Sequence, residues 1–156
     1  MDDAEVFARL RDLGLELPPP PQPIAAYLPC VVHGGLAWVA GQIPAIDGVI
    51  TVTGRLGEDV SVQEGAAGAR RAAVQVLSVL HEALGSFDRL ERMAQVSVFV
   101  AAAPGFTEHP KVANGASELF AEVLGEAGRH ARMAVGAASL PLGAAVEVAA
   151  TAVVSG

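Results

Sequence analysis

A chain of 156 residues is long enough for one ordinary domain with a sizeable core, and its 52% apolar and 17% charged content is that of a globular protein. The formal charge of -7, with Lys111 the one lysine, argues against the basic stripe that phosphate-backbone binding requires, so no nucleic-acid partner is expected. Aromatic residues are only 4%, which leaves Ala and Val to fill much of the interior and to offer spare apolar surface to another subunit.

Cys30 is the only cysteine, so no intramolecular disulfide can form. The N-terminus (Met1-Asp2-Asp3-Ala4-Glu5) is acidic and lacks the basic and apolar regions of a signal peptide, and the two observations together point to the cytoplasm.

In chain order, Asp3 is placed to cap a short helix with Val6, Phe7, Leu10 and Leu13 on one face and Gly14 as its stop. Pro18 to Pro21 follow as a stiff connector. This divides the chain into residues 1–22, an N-terminal helix and proline-rich connector, and residues 23–156, the main domain. Tyr27 to Val32, the turn-like His33-Gly34-Gly35 and Leu36 to Ala40 read as a hairpin, and Gly48 to Gly54 as a third short strand. Ser61-Val62-Gln63-Glu64 is a capping-box signature. The helix it opens buries Ala73, Leu77, Leu80 and Leu84, turns Arg70, Arg71, Gln75 and Ser78 outward, and stops at Gly85.

Gln95 to Ala101 is a fourth strand, Phe106 to Leu124 largely a second helix, and Ala131 to Ala138 and Ala144 to Val154 two last strands. Ala134 to Val154 carries a single charge, yet Gly136, Pro141, Gly143 and Glu147 interrupt it and its second half alternates, so no membrane span is expected. The order β-β-β-α-β-α-β-β predicts an α+β fold, a mixed sheet with two helices packed on one face. The other face is then bare and requires a partner.

Two charges stand out, Arg132 and Glu147, each in an apolar strand where an unpaired charge is costly. One reading is a structural ion pair across adjacent strands. The other is an anion clamp with a positioned acid/base. His33, His81, His109 and His130 lack metal-ligand spacing, and no metal is expected. His130, beside the arginine strand, is the histidine best placed to matter. Ser117 lies on a helix without a nucleophile elbow.

Arg132 precedes Glu147 by fifteen positions in a frame that contains Leu140-Pro141 and Val146-Glu147-Val148. Ala40-Gly41-Gln42-Ile43-Pro44 follows the second strand, Tyr27 stands seven residues before Gly34, and Val112-Ala113-Asn114 lies on the second helix. Together these motifs resemble the RidA/YjgF family, also called the endoribonuclease L-PSP family, over roughly Ile24 to Val154. The resemblance implies a chorismate-mutase-like subunit, a homotrimer with sheets packed inward, and sites in the clefts between subunits. It implies hydrolysis of enamines or imines derived from amino acids, with no metal or organic cofactor. Arg132 would then hold the carboxylate of a small-molecule substrate through its planar fork, and Glu147 would position water and relay protons. Tyr27 would line the pocket and Asn114 would add a neutral polar contact. Where the family often has cysteine this sequence has Ala134, whose backbone N–H could still bind a carboxylate or carbonyl oxygen. A non-catalytic regulatory protein that binds small carboxylates on the same fold is the alternative. RNA cleavage, suggested by the family's older name, fits the acidic balance poorly.

Overall fold

Gly34 and Gly35 both adopt positive φ, the two-residue turn that matches the twist of paired strands and that side chains disfavour. They join β1 (Cys30–His33) to β2 (Leu36–Gln42) in the computed structural model, which describes residues 1–20, 22 and 25–156. Pro21 of the expected connector, and Pro23 and Ile24 at the expected start of the main domain, lie outside the described residues.

The expected third strand is corrected. Asp47 and Gly48 take positive φ and turn a miniature hairpin of β3 (Ala45–Ile46) and β4 (Val49–Ile50), which forms a sheet of its own. The β-branched run after Gly48 favours a strand, but the Asp-Gly turn folds its first two residues back on Ala45–Ile46, and the ladder ends there.

α2 (Val62–Leu84) opens with the capping box, Ser61 and Glu64 each bonded to the other's backbone N–H, and ends at Gly85 in the left-handed conformation. Its expected inner stripe is buried, but so are Gln75 and Ser78, which were expected to face solvent. Ser78 Oγ donates to Pro18 O and Gln75 Oε1 accepts from Ala45 N–H, so the connector and the β3 region lie over the helix's outer side. α3 (His109–Leu124) crosses α2 closely: a Cβ on Gly115 would strike the Ala66 backbone carbonyl.

α1 (Asp3–Asp12) is capped by Asp2, not Asp3; the Asp2 carboxylate accepts from Glu5 N–H at 2.8 Å. Asp3 instead accepts from Phe87 N–H at 2.7 Å and meets His81. Val6 and Leu10 are fully buried in the same core as α2 and α3, whereas Phe7 and Leu13 stay partly exposed.

The main sheet runs β1-β2-β7-β5-β6, with β5 (Leu90–Ala101), β6 (Ala131–Ala137) and β7 (Val146–Val154). β5 and β6 are parallel and the other pairs antiparallel. This is the α+β architecture expected, with the N-terminal helix added. Val146, Val148, Ala150, Ala152 and Val154 of β7, with Val96, Val98 and Val100 of β5, form the buried face under the helices. The alternate residues build the opposite face in register rows: Trp38, Thr151, Gln95 and Ala131, then Ala149, Ser97 and Met133, then Glu147, Phe99 and Val135. Trp38 and Met133 on it are 43% and 42% exposed. None of the described helices is long and apolar enough to cross a membrane.

Candidate functional site

Arg132 lies on β6, the sheet's edge strand, in register with the buried Val96, so its side chain rises on the helix face. Its Nη1 donates to Asn114 Oδ1 at 2.8 Å and to Ser117 Oγ at 3.2 Å. Asn114 and Ser117 are three residues apart on α3, hence on one helical face. Sequence reasoning passed over Ser117, although that spacing from Asn114 was a usable signal. Nε and Nη2, the side-on fork of the guanidinium, make no hydrogen bond within the described residues.

His130 adjoins this group. Its Nδ1 lies 2.6 Å from Gly128 O and its Nε2 lies 3.0 Å from Ser117 Oγ. A carbonyl can only accept, so Nδ1 carries the proton and Nε2 accepts from the serine hydroxyl. Burial pushes the His130 pKa down, and the Arg132 charge adds to that; the bond to Gly128 O opposes both. The net shift favours the neutral imidazole, which packs edge-on against Phe120. Ser117, His130, Arg132 and their neighbours line a surface cleft of about 320 Å³. Ala134 is two residues along β6 on the same face, in register with Val98. Gly136 follows, where a Cβ would press on His109 Nε2 at the start of α3.

Glu147 belongs to a different place. It registers with Phe99, on the open face of the sheet, between Val146 and Val148, which point into the core. Across from it β2 is irregular between Val39 and Gln42, and Gly41 sits so close that a Cβ there would occupy the position of the Glu147 carboxylate. Glu147 takes part in no ion pair or side-chain hydrogen bond among the described residues, and burial raises its pKa.

Of the two readings of these charges, the cross-strand ion pair is overturned: β5 lies between β6 and β7, and Arg132 and Glu147 rise on opposite faces. Tyr27 is more distant still. It precedes β1 at the other edge of the sheet, four strand spacings from β6, or about 19 Å. It is 52% exposed, and the Ala40 N–H to Pro29 O bond sets it toward the end of the hairpin where Gly41 lies. Of the residues expected at the site, one chain brings together Arg132, Asn114 and Ala134, while Glu147 lies on the open face and Tyr27 beyond β1. Of the remaining histidines, His81 meets Asp3 and the Phe7 and Phe87 rings, and His33 ends β1.

A mixed sheet clad by helices on one face and open on the other is the architecture of a chorismate-mutase-like chain. The chain belongs to the YjgF family, the family model "YjgF/chorismate_mutase-like, putative endoribonuclease" matching residues 7–153 from within α1 onward. It is 49% identical to protein TCP17 of Trypanosoma cruzi over 144 residues, 92% of this chain and 90% of that one. Among solved structures, protein Atu1372 of Agrobacterium tumefaciens superposes with TM-score 0.92 at 42% identity, covering 97% of this chain and 94% of the other. A "putative endoribonuclease" of Shewanella oneidensis gives TM-score 0.91 at 33% identity, covering 95% and 98%.

Proposed function

We propose that this chain hydrolyses reactive enamines and imines derived from amino acids, at clefts shared between copies of a homotrimer. The observation that carries the reading is the separation of the two charges. An arginine stands at one edge and a half-buried carboxylate on the open face of the central strand, and among the described residues neither the side-on fork of the one nor the carboxylate of the other has a partner. A second copy packed on that open face and reaching round the β6 edge would bring the carboxylate and Tyr27 of one chain to the arginine of another, and would cover Trp38, Met133 and Val135.

In such a cleft Nε and Nη2 of Arg132 hold the carboxylate of a 2-imino acid side-on. Asn114 fixes the guanidinium and offers a neutral polar contact, and the Ala134 backbone borders the bound group. Glu147 takes a proton from water as the oxygen attacks the C=N carbon. It returns that proton to the nitrogen to give a carbinolamine, then relays the carbinolamine hydroxyl proton to the same nitrogen as the C–N bond breaks, giving a 2-oxo acid and ammonia. A carboxylate with a raised pKa suits both transfers. The reaction needs no metal or organic cofactor. An amino-acid oxidase generating a panel of 2-imino acids provides the test. This protein should accelerate 2-oxo acid release, and release at the uncatalysed rate across the panel would leave only the carboxylate-binding role.

A further inference from the structure

Three hydrogen bonds around Arg132 run in one direction. The carbonyl of Gly128 can only accept, so His130 Nδ1 donates to it; His130 Nε2 can then only accept, so Ser117 Oγ donates to it. The serine hydroxyl has spent its proton, and only its lone pairs face Arg132 Nη1, 3.2 Å away. Asn114 Oδ1 takes the other Nη1 hydrogen at 2.8 Å. Without His130 the Ser117 hydroxyl could turn its hydrogen toward the guanidinium, or toward Asn114 Oδ1 in competition with it. The histidine ring is itself fixed edge-on against the buried Phe120, 5.7 Å between centroids. A neutral imidazole is required for this directionality, and burial favours that form.

We propose that Ser117 and His130 are positioning residues for the carboxylate clamp: they lock Nη1 of Arg132 inward so that the Nε/Nη2 edge is presented, preformed, to a ligand carboxylate. The proposal rests on the reading of Arg132 as that clamp. Neither residue touches the ligand, and both act through the guanidinium. An arginine on an exposed edge strand otherwise has many rotamers, and a ligand that selects one of them has its affinity reduced to the fraction of time that rotamer is populated. Preorganisation therefore affects ligand capture and leaves the proton transfers at Glu147 alone.

The experiment uses the full chain with 2-oxobutanoate as binding probe and 2-iminobutanoate as substrate. Ser117→Ala should raise the Kd and the KM roughly tenfold, the lower end for one hydrogen bond to a charged group, with kcat near the parent's. Ser117→Thr keeps the hydroxyl and should restore both constants. His130→Phe keeps a ring against Phe120 and should raise Kd in the same direction by a smaller factor. Nitrogen NMR of the parent should find His130 protonated on Nδ1. Rotation about the Arg132 Nε–Cζ bond should be slow in the parent and the threonine variant and faster in the alanine variant. A His130 protonated on Nε2, or an alanine variant with unchanged Kd and unchanged rotation, overturns the proposal. Arg132→Lys separates the two readings. If it leaves 2-oxobutanoate binding intact, the clamp itself is wrong, while the rotation rates still decide whether Ser117 positions Arg132.

Discussion

Glu147 has no ion-pair or hydrogen-bond partner for its side chain among the described residues, and that changes what its removal should do. Its folded-state pKa is raised by burial, so the unfolded chain gives up this proton at lower pH than the folded one. Folding is therefore favoured by this group at acid pH, and the advantage is lost as pH rises from the ordinary carboxylate value through the raised one. Above that window Glu147→Gln removes a charge that burial disfavours, and its melting temperature should equal or exceed the parent's. Imine hydrolysis by the same sample should fall by about 10²–10⁴-fold. An ion-paired carboxylate would behave oppositely, with roughly 3–5 kcal/mol of stability lost. A melting temperature that drops sharply at pH 7 would contradict the placement of Glu147.

Gly41 permits that placement. Its Cα lies where any side chain would collide with the Glu147 carboxylate, the far end of a flexible side chain that can swing aside. Gly41→Ala should therefore fold and melt near the parent, while displacing the carboxylate by an ångström or more costs turnover about 10²-fold. Thermal melts and oxidase-coupled rates on one preparation check both halves; unchanged turnover would detach Glu147 from the chemistry. Arg132 and Glu147 were legible in the sequence because a charge in an apolar strand is conspicuous. Gly41 was legible only as part of a motif, since the reason for its missing Cβ is a residue more than a hundred positions away.

At the scale of elements, helices and long strands were readable where local chemistry decides them. Ser61 and Glu64 fix the start of α2 from four residues of sequence. What was not readable is order. β6 and β7 follow each other in the chain, and consecutive strands are often neighbours, yet β5 lies between them and separates the two charges. Gln75 and Ser78 looked like an outer face because periodicity reports one buried side of a helix and cannot reveal a connector lying over the other. The α2–α3 crossing belongs to this scale too. Gly115 admits the Ala66 carbonyl, and since a backbone atom cannot swing aside, Gly115→Ala should destabilise by roughly 1–3 kcal/mol as the helices are forced apart. Denaturant unfolding measures it, and a variant as stable as the parent would mean the helices do not cross so closely.

For the molecule as a whole, the acidic balance and the open sheet face point to different partners. A charge of -7 with one lysine repels a phosphate backbone, so generic RNA should bind only weakly even at low salt, whatever the family's older name suggests. Filter binding at physiological salt checks this, and tight retention would contradict it. The open face, by contrast, suits a second copy of the chain. If Arg132 and Glu147 act together only across that contact, two inactive variants should repair one another. Arg132→Lys and Glu147→Gln chains, each purified near background activity, are unfolded together, refolded as an equal mixture, and the mixed assemblies verified by native mass spectrometry. A site shared between neighbours requires an intact arginine from one chain and an intact glutamate from the next, so random assortment should return about a quarter of parental imine hydrolysis. Mixed assemblies no more active than either variant alone would contradict the shared site.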